Sequence, residues 1–159
     1  RVGKAIQILG NKSGIYGMLG GQCVDVESEG TKISEEKLEF IHLNKTAALL
    51  EASMSIGALL AGADDEQLEI VLSVARNVGM AFQIQDDVLD VTSSLEVLGK
   101  PVGSDEKNNK ATYVTFEGLD KAVSDVERIS KEAEKLLDDL GYDDAFLKEL
   151  FEYLIHREK

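Results

Sequence analysis

A single proline, Pro101, stands in 159 residues, so almost nothing in the chain forbids continuous helix by locking φ or removing a backbone donor. Apolar residues recur at spacings of three and four, and the two features together predict an all-α chain. Glycines and polar clusters divide it into five long helices. The first runs from about Val2 to Glu27 and ends at Ser28-Glu29-Gly30-Thr31. Ser34 offers an N-cap, without a capping box, for a second helix reaching about Leu60, where Gly62 stops it. Asp64 can cap a third, which continues to about Val91. A polar loop from Thr92 to Asn109, with Gly99, Pro101 and Gly103, leads to a short helical piece near Thr112 to Glu117. Beyond Gly118 a fourth helix carries Ala122, Val126, Ile129, Ala133, Leu136 and Leu140. Gly141 ends it, and Asp143 or Asp144 caps the last. The length fits one domain over residues 1–159.

Charge narrows the partners. Thirty acidic and 17 basic side chains leave a net charge of −13, which repels nucleic acid and anionic membrane surfaces alike. No apolar run reaches the roughly 18 residues of a membrane span, and no signal-peptide pattern opens the chain, so no stable membrane insertion and a cytoplasmic location are expected. Cys23 stands alone, which excludes an internal disulfide framework and a multi-cysteine metal site; it is expected to be a small core residue. The sequence starts with Arg1 inside a helical pattern and without an initiator Met, so it reads as part of a longer chain.

Gly10, Gly14, Gly17 and Gly21 are spaced four, three and four apart. On a continuous helix they form one stripe, suited to close approach by a neighbouring helix or to space beside a cavity. The third helix is more informative. With Leu68 at 0°, Val71, Leu72, Ala75, Gly79 and Phe82 fall within about 60° of it, and Asp86 returns to about 0°. Asp90 lands near 40° and Gln83 near 60°, while Asp87 points about 100° away as an i, i+3 neighbour of Asp90. The second helix repeats the anomaly with opposite sign: Lys45 sits about 20° from the centre of a stripe made of Leu38, Ile41, Leu49, Ala52, Ile56 and Leu60. Burying an unpaired ion costs several kcal/mol. The arrangement therefore predicts a buried Lys–Asp ion pair, a misjudged helix phase or, with three charged groups on two inward faces, a polar cavity. Up to three aspartates against one lysine call for a cation, and hard oxygens at i and i+4 suit Mg²⁺. Lys100 and Lys110, with Lys107 between them, lie in a loop that is either simply solvated or placed to hold a diphosphate beside the metal.

Phe82-Gln83-Ile84-Gln85-Asp86-Asp87-Val88-Leu89-Asp90 resembles the second aspartate-rich motif of the trans-isoprenyl diphosphate synthases, the farnesyl and geranylgeranyl diphosphate synthase family. Gly99-Lys100-Pro101-Val102-Gly103-Ser104-Asp105 and Lys110-Ala111-Thr112-Tyr113 are similar to the loop that follows it. Gly20-Gly21-Gln22-Cys23-Val24-Asp25 and His42-Leu43-Asn44-Lys45-Thr46-Ala47-Ala48-Leu49 resemble two further signatures, in family order. The resemblance implies an antiparallel helical bundle around a deep cavity. It implies a Mg²⁺-dependent prenyltransferase that condenses an allylic diphosphate with isopentenyl diphosphate, as a homodimer. Carried over, Asp86 would ligate Mg²⁺, with Asp87 and Asp90 supporting it directly or through water. Lys45, Lys100 and Lys110 would hold the departing diphosphate. Thr46 and Gln83 would lie beside the allylic site, where their dipoles can stabilise a developing cation.

The first aspartate-rich motif of that family is absent. Asp64-Asp65, Asp138-Asp139 and Asp143-Asp144 all lack a third aspartate three residues on. The sequence thus resembles roughly the C-terminal half of a synthase, and the expectation is a half-site inactive alone. The alternative is a non-catalytic subunit or scaffold that dimerises through the first helix. A di-iron carboxylate bundle needs two Glu-x-x-His pairs; Glu39 and His42 make one, whereas Glu152 precedes His156 by four residues. Terpene cyclisation falls behind for want of its C-terminal metal motif.

Overall fold

The structure, a computed structural model, describes residues 1–92, 111–142 and 145–155. Among them are helices and no strand. Helices α1 (Val2–Ser13) and α2 (Met18–Ser28) are followed by α3 (Glu35–His42), a π-helical turn (Leu43–Ala47) and α4 (Ala48–Ala61). Then come α5 (Asp65–Thr92), α6 (Tyr113–Glu117), α7 (Leu119–Asp139) and α8 (Ala145–Ile155).

The local signals act where local chemistry decides. Ser34 Oγ accepts from the Lys37 N–H at 3.3 Å, satisfying a donor that the first turn leaves over. Asp64 and Gln67 cap α5 reciprocally: the carboxylate accepts from the Gln67 N–H at 2.9 Å, and Gln67 Oε1 accepts from the Asp64 N–H at 3.0 Å. Gly62 ends α4 at φ +111°, a left-handed conformation that favours glycine. Residues 62–64 then turn the chain back, so α4 and α5 run antiparallel.

The middle of the bundle is α5. Its residues Val74, Val78, Ala81, Ile84 and Val88 form the core with Ala122, Val126, Ile129, Ala133 and Leu137 of α7 and with Phe151 and Ile155 of α8. On another face, shared with Val71 and Ala75, Gly79 meets Ala47 of the π turn. Apolar residues thus cover α5 on two sides, while Glu69, Ser73 and Arg76 of its first half stay exposed. Glu51 of α4 is only 2% exposed. It pairs with Lys12 of α1 and, at 3.1 Å, with Arg76 of α5, tying three helices at one carboxylate.

Three expectations change. The first helix is two, because the chain turns at residues 14–17, so the four glycines never form one stripe. Gly17 meets the end of α1 at Lys12, and Gly21 approaches an element distant in sequence: a Cβ there would lie 2.4 Å from the Lys45 backbone nitrogen. The second helix is interrupted by the π turn. Its i→i+5 bonding advances less than 100° per residue, so a phase carried through it from α3 fails in α4. Leu49 and Leu60 are exposed, Ala48, Ser55 and Leu59 are buried in their place, and Ala52 is buried as expected. Cys23 is exposed, not a core residue.

Candidate functional site

A cavity of about 210 Å³ opens between α2, α3, the π turn, α5 and Ala111, two residues ahead of α6. Asp25, His42, Lys45, Gln83, Asp86 and Asp87 supply its polar lining, and Leu38, Ile41, Phe82 and Ala111 its apolar one. Each polar group comes from a different local cause. Asp86 and Asp87 project from α5, four and three residues ahead of Asp90. Lys45 is carried by the π turn, which is wedged between glycines. Gly21 lets α2 reach the backbone of Asn44 and Lys45, and Gly79 lets α5 reach Ala47. Such one-turn π segments are frequent at functional sites.

Three carboxylates, Asp25, Asp86 and Asp87, face one ammonium in this lining. The expected ratio therefore holds with a different membership. Asp25, quoted in a signature but given no role, replaces Asp90, which is 2% exposed and outside the lining. Lys45 Nζ donates to Asp25 Oδ2 at 2.5 Å, so the ion pair and the polar cavity, posed as alternatives, are both present. Asp87, expected to point away from the stripe, is 8% exposed. Its Oδ2 accepts from the Tyr113 N–H at 2.7 Å and lies 3.7 Å from His42 Nε2. Thr46 Oγ1 donates to Gln83 Oε1, bringing together the two residues expected beside an allylic group. Lys100 and Lys110 lie outside the described residues.

Among the described residues, no three His, Cys, Asp or Glu side chains converge as a ready-made metal cage. Mg²⁺ does not require one. It is held by one or two carboxylates and completes its shell with water and phosphate oxygens. Asp86 and Asp87 in a lining with excess negative charge fit that mode.

Behind this wall lies a second cavity of about 240 Å³, lined by Glu35, Glu39, Met80, Ile84, Tyr113, Phe116 and Ile129; it shares Leu38 and His42 with the first. Tyr113 also reaches α7, where its hydroxyl donates to Asp125 Oδ2 at 2.9 Å. Burial, then the hydrogen bond to Asp125, pushes that hydroxyl up to about 12. Asp125 accepts from Lys121 at 2.8 Å and from Arg128 at 2.9 Å. The Lys121 hydrogen bond leads in lowering its carboxyl to about 2; Arg128 and Tyr113 add to this against the opposing effect of burial. Sequence reasoning missed Asp25, Glu51 and Asp125. Asp25 carried a signal in its place in a quoted signature and Asp125 in the i−4 and i+3 spacing of Lys121 and Arg128, whereas the partners of Glu51 sit on other helices.

The fold and site together define a helical bundle with three carboxylates and one lysine gathered at one cavity. The polyprenyl synthetase family model matches residues 4–153, and the chain belongs to that family. Over 164 residues it is 42% identical to the heterodimeric geranylgeranyl pyrophosphate synthase large subunit 1, chloroplastic, of Arabidopsis thaliana, covering 99% of this chain and 44% of that protein. It is 41% identical over 160 residues to the chloroplastic geranylgeranyl pyrophosphate synthase of Catharanthus roseus, covering 99% and 45%. Among solved structures, the Helicobacter pylori geranyltransferase complexed with magnesium and isoprenyl diphosphate matches with a TM-score of 0.78 at 32% identity, over 96% of this chain and 50% of that one. The chain spans less than half the length of these two curated relatives.

Proposed function

We propose that this chain carries one metal-and-diphosphate half-site of a prenyl diphosphate synthase, which joins an allylic diphosphate to isopentenyl diphosphate and releases diphosphate. The observation that carries the proposal is the convergence of Asp86, Asp87, Asp25 and Lys45 on one cavity. The relatives named as geranylgeranyl pyrophosphate synthases and the magnesium-bound geranyltransferase support it.

Asp86 and Asp87 would hold Mg²⁺ jointly with diphosphate oxygens, Asp90 supporting them from beneath. Bound there, Mg²⁺ supplies charge neutralisation for the departing diphosphate. Lys45 offers its ammonium to the same anion, with Lys100 and Lys110 assigned to that task from the sequence. Thr46 orients Gln83 by donating to its amide oxygen, and the amide dipole then faces the allylic carbon as positive charge develops. Leu38, Ile41 and Phe82 keep water from a carbocation that would otherwise be quenched. The 159-residue chain alone is proposed not to elongate a prenyl chain, because its sequence holds a single Asp-Asp-x-x-Asp motif. Exposed Val2, Ile6 and Leu9 at helical spacing on α1 support assembly as a homodimer; the Arabidopsis relative, named as a heterodimer subunit, makes an unlike partner the other outcome of a mass measurement.

A thermal-shift titration tests the binding proposal. A rise in Tm that needs both Mg²⁺ and inorganic diphosphate, and disappears in Asp86→Ala, is expected. No shift in the unaltered chain would leave a scaffold only. Turnover of dimethylallyl and isopentenyl diphosphates by the purified chain would refute its inactivity alone.

A further inference from the structure

Helix α6 is five residues long and buries none of them fully, although Tyr113 and Val114 pack against the core. Two polar ties add direction to that packing, and both belong to Tyr113. Its N–H is the first of the helix, a donor that no intrahelical carbonyl can reach, and it is spent on Asp87 Oδ2 at 2.7 Å. Its hydroxyl, at the far end of the ring, is held at 2.9 Å by Asp125 of α7. Asp125 is itself immobilised: Lys121 donates to Oδ2 at 2.8 Å, and Arg128 donates twice to Oδ1, at 2.9 and 3.2 Å. The tyrosine therefore spans from a fixed carboxylate on α7 to a cavity-lining carboxylate on α5. Ala111, two residues before it, forms part of the same cavity wall.

We propose that Asp125 and Tyr113 are positioning residues for Asp87: Asp125 anchors the tyrosine hydroxyl, and the anchored tyrosine fixes the carboxylate's orientation through its backbone N–H. This deepens, and rests on, the metal-and-diphosphate reading of the cavity. Partners outside the ligand shell commonly set metal affinity by fixing the ligands themselves. Neither residue lies among the groups that would touch the metal.

The test uses the 159-residue chain, inorganic diphosphate and Mg²⁺. Calorimetric titration at a series of Mg²⁺ concentrations gives the concentration for half-maximal diphosphate uptake. Tyr113→Phe keeps the ring and the backbone N–H and loses only the anchor; it is expected to raise that concentration about tenfold. Asp125→Ala should do the same. Asp125→Asn retains an oxygen that accepts from the tyrosine and should return towards the unaltered value. Hydrogen exchange at the residue 113 amide, read without ligand, should quicken in Tyr113→Phe and stay slow in Asp125→Asn. An unchanged Mg²⁺ requirement in Tyr113→Phe, or unchanged exchange at that amide, overturns the positioning role while uptake by the unaltered chain still stands. Absence of uptake in the unaltered chain overturns the functional reading itself, and the positioning proposal with it.

Discussion

Replacing Gly79 by alanine probes the seat of the π turn. A Cβ at position 79 would lie 2.5 Å from the Ala47 Cβ and 2.6 Å from its Cα. Ordinary carbon contact begins near about 3.5 Å, so α5 and the turn would need to part by roughly 1 Å. Neither clashing atom is the free end of a flexible side chain, and Ala47 is fully buried. Overpacking of this kind costs about 1–3 kcal/mol, and so rigid a site belongs at the upper end. Against it, alanine gains about 1 kcal/mol over glycine in a helix interior. The net expectation is a loss of about 2 kcal/mol, or roughly 4–8 °C in Tm at this chain length. Gly57→Ala is the matched control: it too lies inside a helix, and its added Cβ meets nothing within 4 Å. That variant should rise by about 2–4 °C. Thermal unfolding followed by circular dichroism reads both. A Tm for Gly79→Ala at or above that of the unaltered chain would show that α5 and the π turn separate freely, and the account of how Lys45 and Thr46 are placed would fail.

Glu51→Gln should lower stability by about 1–2 kcal/mol, since hydrogen bonds to a charged group from Lys12 and Arg76 weaken together; a denaturation midpoint equal to that of the unaltered chain would count against the three-helix tie. Asp125 is held below its ordinary value, so its contribution is complete above about pH 4 and is lost as pH falls towards about 2. The Tm gap between the unaltered chain and Asp125→Asn should accordingly close over that window, and a constant gap would contradict it. Exposed Cys23 should react with a thiol reagent in the folded chain; reaction only after addition of denaturant would place it in the core.

How much was legible depends on the range of the cause. Ser34, Gly62, Asp64 and Gly118 act within one turn of backbone, and each ends or begins a helix where the sequence indicates. Asp86 and Lys45 were legible because an ion on an apolar stripe is costly and demands a reason. Asp25 was not, because its partner is Lys45 of another helix, and a helical wheel holds no information about a neighbour. Asp87 was misplaced for a related reason: the wheel followed one buried face of α5, whereas the α6 segment covers another. The π turn changes backbone bonding without any compositional mark. Gly10, Gly14, Gly17 and Gly21 carried two opposed messages, a stripe and a breaker; each glycine weakens a helix by about 1 kcal/mol relative to alanine, and Gly14 and Gly17, three apart, broke this one. The roles assigned to Thr46 and Gln83 came from family resemblance, and the hydrogen bond between them agrees with their neighbouring placement.

The surplus residue in the Leu43–Ala47 turn has a consequence for what the lineage of this chain can discard. Deleting one residue there would restore a regular α-helix and, because the π turn takes up its extra residue within nearly the same rotation, would leave the downstream helix facing as it does now. Glu51 would keep Lys12 and Arg76, and Ala52 and Leu59 would stay buried; what would change is the turn itself, which presents Lys45 to Asp25. Repacking the bundle is not what excision would cost; the extra residue is kept in the chain by the place it gives the lysine.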